Sequence, residues 1–331
     1  MKKILILGYF GHGNTGDDTA LQLLCSELRG RKIEYSIFPN SEKSACRRLL
    51  GLTKALEKSS ALLFCGGNLL QNETSNRSLL YYLLIIERAK RLKIPVLFAF
   101  SGIGEINGKF ARQLTARALS GVDFFGARTH FDLSEISPLK IKTVALSTDI
   151  AFTLSSDRVK KRDEFAYIPS AKNPKLEKKI MNIAKALSLR PIVIPFFAKR
   201  DGKLCAKASR RLDAPYLCFQ DRASLLSALS ACRFAVSDRL HGGIFSLVAH
   251  TPTFLNDSQE KCRALIDEIA VRAGELNIKS PLMTLDELCI EKIKELGAEN
   301  SEFDILLSSL HYTAELGLEK LIRRLNGAVM L

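Results

Sequence analysis

The residue types and spacing best suited to chemistry lie in one short turn, Ser237-Asp-Arg-Leu-His-Gly-Gly243. An apolar segment delivers Arg239 and His241 to what reads as a strand-to-helix turn. Arginine offers a rigid planar fork for a carboxylate or phosphate. Histidine can give or take a proton near neutral pH. The same stretch has a plainer reading, with Asp238–Arg239 a structural ion pair and His241 a helix-start cap.

Two glycine-rich loops offer a complementary chemistry. In "GYFGHGNTGDD" (Gly8–Asp18) glycines allow a sharp turn and close backbone approach to a ligand. The N–H groups of the following helix suit phosphate or carboxylate. Gly13, Asn14 and Gly16 are the candidate binding positions. Asp17 is a candidate catalytic carboxylate, although Asp17 or Asp18 could simply cap the helix. Gly11-x-Gly13-x-x-Gly16 fits a dinucleotide fingerprint by count, but no acidic residue near 36–40 is placed to hold a ribose. In "CGGNLLQNETSNRS" (Cys65–Ser78), Gly66 and Gly67 precede a polar run containing Gln71, Asn72, Glu73, Thr74, Ser75 and Arg77. That run suits a polyhydroxylated molecule, or it caps the next helix. "GARTHFDL" and "STDIAF" supply Arg128 and Asp149 as weaker candidates. His12 and His130 lie in loops, and His250 and His311 look incidental.

These residues need a frame to position them. Short apolar runs at Lys3–Gly8, Ile33–Phe38, Ala61–Cys65, Pro95–Phe100 and Val122–Gly126 alternate with helical patterns at Asp17–Arg29, Ser44–Lys58, Arg77–Leu92 and Lys109–Leu119. Such alternation predicts an α/β fold, a parallel sheet with helices on both faces. The helix from Arg77 is apolar nearly all round, which predicts deep burial. A polar, basic stretch near Leu154–Arg162 reads as a linker. A second series follows. Its strands are expected at Phe165–Ile168, Pro191–Ile194, Tyr216–Cys218, Phe234–Ser237 and Thr253–Leu255. Its helices are expected at Pro174–Leu189, Arg222–Ala231, Leu240–Ala249 and Gln259–Arg272. Thr284-Leu-Asp-Glu287 reads as a capping box opening one further helix, and Ser301-x-x-Asp304 as the cap of a last one. The expected division is two tandem Rossmann-like doubly wound domains, 1–154 and 155–300. The helix of 301–331 carries an apolar stripe expected to pack back on the first domain.

Composition narrows the class. The 331 residues are 47% apolar and 25% charged, enough for two sizeable cores. The longest apolar run, Leu79–Ile86, is far below the ~20 residues of a membrane span. "MKKILILGYF" lacks a small-residue cleavage site and reads as a first strand. Eight cysteines without a C-x-x-C pair argue for buried thiols in a reducing cytoplasm. The net charge of +14 is spread over both halves without a basic tail or a nucleic-acid signature. It fits anionic small substrates or an anionic membrane face.

Taken in order, "GYFGHGNTGDD", "GGNLLQNETSNRSLLYYL", "FSGIGEI", "ARTHFDLS", "STDIAF" and "SDRLHGGIFSLVAHTP" resemble the polysaccharide pyruvyltransferase family, especially the bacterial cell-wall type linked to S-layer anchoring. The resemblance implies a two-domain GT-B-like fold whose domains face a cleft. It implies transfer of pyruvate from phosphoenolpyruvate onto two hydroxyls of one sugar, forming a cyclic ketal. The donor would be bound by Arg128, Arg239 and His241, with Leu240 beside them. Asp17 or Glu73 would serve as hydroxyl base by residue type alone. The family usually has a third glycine where Asn68 stands and Asp where Thr129 stands. The expected partners are phosphoenolpyruvate, a saccharide acceptor of lipid-linked kind and an anionic membrane surface, with no nucleic acid. No cofactor or metal is expected, and the location is cytoplasmic. The rival readings are a GT-B glycosyltransferase using a nucleotide-sugar, with Glu260 as the nearest ribose-holding acid, and a non-catalytic saccharide-binding relative.

Overall fold

The computed structural model describes residues 3–39, 45–73, 75–296 and 300–329, with the side chains of 45–47, 300, 301, 328 and 329 excluded. The readings placed on Thr74, on the thiol of Cys46 and on the Ser301 cap therefore lie outside the described residues. The chain divides into two units. Met1–His12, Asp17–Ile150 and Tyr312–Leu331 form the first, and Gly13–Gly16 with Ala151–His311 form the second. Gly13, Asn14 and Gly16 thus group with the later half of the chain, not with the strand that precedes them.

In the first unit the elements are β1 (Lys3–Leu7), α1 (Thr15–Gly30, whose first two residues group with the second unit), β2 (Tyr35–Ile37), α2 (Ala45–Glu57), β3 (Ser59–Cys65), α3 (Asn76–Arg91), β4 (Val96–Ser101), α4 (Lys109–Leu119), β5 (Phe124–Ala127), α5 (His130–Ile136) and β6 (Val144–Leu146). All strand pairs are parallel, in the order β2-β1-β3-β4-β5-β6. Both faces of β1, β3, β4 and β5 are buried, so those strands read as continuous apolar runs rather than alternating ones. Period-two alternation still sorts them. Leu5, Leu7, Leu62 and Phe64 join α2, α3 and α4 in one core. Ile4, Ile6, Ala61 and Leu63 join α1 in another, which also contains Leu318, Leu321 and Leu325.

The second unit repeats the plan with β7 (Glu164–Ile168), α6 (Pro174–Leu187), β8 (Arg190–Val193), α7 (Ala198–Leu212), α8 (Arg222–Ser230), β9 (Ala235–Ser237), α9 (Leu240–Val248), β10 (Thr253–Leu255), α10 (Glu260–Glu275), β11 (Leu282–Thr284) and α11 (Ile290–Glu295). Its order is β11-β10-β9-β7-β8, again parallel throughout. Ala166 and Ile168 face α8, α9 and α10, whereas Phe165 and Tyr167 face α6 and α7. The last helix, α12 (Asn300–Val329), puts Leu306 and Leu310 into the second unit's core.

Several local expectations are corrected. Tyr216–Cys218 is not a strand, and only Tyr216 bridges, to Val193. Cys218 is exposed. Thr284 and Glu287 do bond, through Thr284 N–H to Glu287 Oε2 at 2.8 Å, but Thr284 ends β11. The helix begins only at Ile290, where Cys289 Sγ accepts from Lys292 N–H. Elements β6, α5, α7 and β11 have no counterpart among the expected segments. Helix α7, AKRDGKLCAKASRRL, buries the small residues Cys205 and Ala208, which give a faint apolar stripe. Helix α3 is buried along Leu79, Leu83 and Ile86 but leaves Leu80 and Leu84 exposed, against the expectation of burial all round.

Candidate functional site

Each sheet has one topological switch point, where the connections leave in opposite directions and strand C-termini leave a crevice. In the second unit it lies between β7 and β9, and the Ser237–Gly243 turn leaves β9 there. Ser237 Oγ accepts from Arg239 N–H at 3.0 Å and donates to the Arg239 carbonyl at 2.8 Å, which fixes the turn. The Asp238 carboxylate accepts from Ser170 N–H at 3.0 Å and Asn256 Nδ2 at 2.8 Å. It thereby ties together the loops that follow β7, β9 and β10.

Arg239 is the N-cap residue of α9. The ion pair with Asp238 that the plainer reading of the turn calls for does not form. Arg239 Nε and Nη2 instead donate side-on to Asp201, at 2.9 and 2.5 Å, and the Asp201 side chain is only 1% exposed. Two of the five guanidinium donors are held by this carboxylate, and the Nη1 end points away from it. His241 follows on the first turn of α9. Gly16, also of the second unit, lies against its ring. A Cβ at Gly16 would fall 2.0 Å from imidazole Cγ and Nδ1. The backbone of this loop is pinned by Thr15 N–H to the Phe196 carbonyl at 3.0 Å and by a bridge between Asn14 and Phe197. The Lys199 side chain passes Gly13, its Cγ 3.6 Å from a Cβ placed there. Leu240, expected beside a ligand, is buried in the apolar core.

In the first unit the switch point lies between β1 and β3. Gly66 and Gly67 leave β3 with φ of 62° and 68°, a left-handed pair that non-glycine residues disfavour. The chain then runs on beside the segment after β4, through Gly102 N–H to the Gly67 carbonyl and Gly104 N–H to the Leu70 carbonyl. Asn72 closes the zipper, accepting from Asn107 N–H at 2.7 Å and donating to the Asn107 carbonyl at 2.9 Å. Ser75 is the α3 N-cap and accepts from Ser78 N–H. Glu73 and Arg77 are exposed, and Gln71 is half-buried. Asp17 is buried, its Oδ1 3.6 Å from a Cβ placed on Gly67. Burial pushes the Cys65 thiol well up, and Cys25, Asp149 and Asp17 add to the shift.

Arg128 is buried at the end of β5. Its Nη1 lies 3.5 Å from Asp149 Oδ2, and its Nη2 donates to Asn68 Oδ1. Gly102 makes room for this cluster, since a Cβ there would meet Asn68 Oδ1 at 2.6 Å and both Arg128 Nη2 and Asp132 Oδ1 at 2.8 Å. Asp132 accepts from Thr129 Oγ1 and Ile103 N–H. Burial raises its carboxyl above the usual range, with Arg128 and these hydrogen bonds opposing. Phe100 and Thr148, at the same sheet edge, hold φ of 51° and 49°, strain of the kind that collects at functional sites.

The residues sequence reasoning missed are the ones that hold the others. Asp201, Asn68, Asp132, Gly102 and Lys199 carry no catalytic spacing. Only their positions in the segments that follow strands, in "FFAKRD", "CGGN", "FSG" and "ARTHFD", could have marked them. Glu260, the proposed ribose acid, is the exposed first residue of α10.

The profile of the family described as polysaccharide pyruvyl transferase matches residues 14–255. No curated protein matches the sequence. Among solved structures, UDP-GlcNAc 2-epimerase from Neisseria meningitidis bound to UDP-GlcNAc is similar with a TM-score of 0.61 and 13% identity, covering 99% of this chain and 100% of that one. The Methanocaldococcus jannaschii UDP-GlcNAc 2-epimerase complex with UDP-GlcNAc and UDP has a TM-score of 0.56 at 12% identity, over 92% and 98%. The lipopolysaccharide outer core galactosyltransferase WaaB in its apo form has 0.55 at 12%, over 99% of both chains. These neighbours are of the GT-B type, and the fold of this chain is GT-B-like, built of two parallel-sheet α/β domains.

Proposed function

The chain belongs to the polysaccharide pyruvyl transferase family, and from that premise we propose that it moves pyruvate from phosphoenolpyruvate onto two hydroxyls of one sugar in a cell-wall or exopolysaccharide precursor. The observation that carries this reading is the Arg239–His241 turn at a switch point. There a buried Asp201 orients the guanidinium and Gly16 leaves room for the imidazole.

Phosphoenolpyruvate is an enol phosphate. A proton adds to its methylene carbon, which becomes a methyl group, and the adjacent C2 takes on oxocarbenium character. One sugar hydroxyl attacks C2 and loses its proton. The C2–O bond to phosphate breaks as the second hydroxyl attacks and loses its own. One of the two hydroxyl protons ends on carbon and the other on inorganic phosphate. Such a reaction needs fixed cations for the carboxylate and phosphate and groups that move protons.

Arg239 and Arg128 fill the first role, each pre-aimed by an aspartate, Asp201 or Asp149, and Lys199 adds a cation beside Gly13. His241 is the proton-transfer group. Asp17 is the hydroxyl base, and Gln71, Gly66 and Gly67 are the candidate contacts to the saccharide. No metal is required, because arginine and histidine can stabilise the leaving phosphate.

The test is thermal shift with phosphoenolpyruvate against UDP- and GDP-sugars. At a hundredfold excess over its dissociation constant the true donor stabilises by about 2.7 kcal/mol. Stabilisation by a nucleotide-sugar alone transfers the reading to a glycosyltransferase. Release of inorganic phosphate from phosphoenolpyruvate only when a saccharide acceptor is added is the expected activity.

A further inference from the structure

Helices α2, α3 and α4 lie side by side on one face of the first sheet and run in the same direction. Asn72 Nδ2 bonds both Asn76 at the start of α3 and the Asn107 carbonyl just before α4. Lys90, near the end of α3, donates to the carbonyls of Arg117 and Ala118 at the end of α4. On the other flank Arg48 of α2 sits 4.4 Å from the Tyr81 ring, and Glu57 of α2 pairs with Arg88 at 3.0 Å.

Four large apolar side chains project outward from this layer. Leu50 of α2 is 60% exposed, Leu80 and Leu84 of α3 are 45% and 57% exposed, and Phe110 of α4 is 73% exposed. Leu80 and Leu84 stand one helical turn apart on the same flank. Exposed basic residues are interspersed with them, Lys54, Arg91, Lys109 and Arg117, none with an acidic partner among the described residues. Glu57 and Glu87, acids of these helices, are already engaged by Arg88 and Lys90.

We infer that this face docks on a membrane surface of anionic phospholipid. The apolar tips enter the interface, and the lysines and arginines meet lipid phosphates. The mixture argues for lipid over protein. The core of a protein interface is depleted of charge and especially of lysine, whereas interfacial helices pair apolar tips with Lys and Arg. Anionic headgroups attract each basic residue near the surface. This inference stands apart from the identity of the donor.

The experiment is co-sedimentation of the whole protein with vesicles of mixed phosphatidylglycerol and phosphatidylcholine, and of phosphatidylcholine alone. Binding to the mixed vesicles only, reversed by high salt, is expected. Arg91→Gln and Lys109→Gln should each weaken partitioning about fivefold. Leu84→Ser and Phe110→Ser should weaken it about tenfold or more. All four are exposed substitutions and should leave the melting temperature and activity on a water-soluble acceptor unchanged. Equal binding to neutral vesicles, absence of binding to either, or indifference to all four substitutions overturns the proposal. A dimer in sedimentation velocity that Leu84→Ser and Phe110→Ser dissolve would assign the face to a second copy and overturn it equally.

Discussion

Gly16 and His241 are packed so closely that any side chain at position 16 would occupy the space of the imidazole ring, with a Cβ 2.0 Å from its Cγ and Nδ1. Gly16 is in the first turn of α1 with ordinary helical backbone, so the demand is for space rather than for an unusual φ. Gly16→Ala should leave the fold intact and displace the ring. A displacement of about 1 Å in a catalytic group costs on the order of 10²-fold in turnover. Donor affinity should change far less, as it should for His241→Asn. Near-normal turnover in folded Gly16→Ala protein, checked by circular dichroism, would remove His241 from the chemistry.

The Asp201–Arg239 pair separates charge from geometry. Arg239→Lys retains the positive charge but cannot reproduce the side-on pairing or offer the remaining guanidinium edge. Donor binding should weaken by roughly one to two orders of magnitude, the equivalent of about 1.5–3 kcal/mol. Asp201→Asn keeps the shape and leaves Arg239 uncompensated. It should lower unfolding stability by about 1.5–3 kcal/mol and also weaken donor binding. Calorimetric titration with phosphoenolpyruvate and urea denaturation read the two effects separately. Unaltered donor affinity in both variants would move the donor elsewhere.

Gly102 can be tested in the same manner for Arg128. The Cβ of Gly102→Ala would press on Asn68, Arg128 and Asp132 together. Overpacking of this kind costs about 1–3 kcal/mol. The urea midpoint should fall, and donor affinity should fall with it because Arg128 loses its aim. A variant as stable as the parent would show that the cluster yields easily and that its geometry is not enforced.

Lys161 supplies a pH test in the second unit. Its ammonium donates to the His250 carbonyl at 3.2 Å and Thr251 Oγ1 at 3.0 Å. Burial lowers its pKa to about 8, with Arg158 and Arg233 adding to the shift and Cys232 opposing. The unfolded chain therefore binds more protons than the folded one between about pH 8 and the usual lysine value, so stability rises with pH across that window. Lys161→Met removes the penalty of the buried charge. Its stability relative to the parent should therefore be greater at pH 7.5 than at pH 9.5, measured as the difference between urea midpoints. A difference that does not change with pH would contradict the depressed pKa.

The sequence by itself determined the class of fold. Parallel strands buried on both faces must be continuous apolar runs, and the helices between them must carry a periodic stripe. Ile4 to Leu7 and Leu62 to Phe64 could be read for that reason. The Gly66–Gly67 and Arg239–His241 segments were legible as turns because glycine and polar residues directly after an apolar run mark the end of a strand. Only the tertiary structure decided what holds them. Asp201 is 38 residues from Arg239 and Asn68 is 60 residues from Arg128. A carboxylate or amide has no local signature for a partner that arrives from another strand. Tertiary structure also decided which side of α3 is buried, because an apolar helix read alone gives no preferred face. The sheet took Leu79, Leu83 and Ile86, and Leu80 and Leu84 were left to solvent.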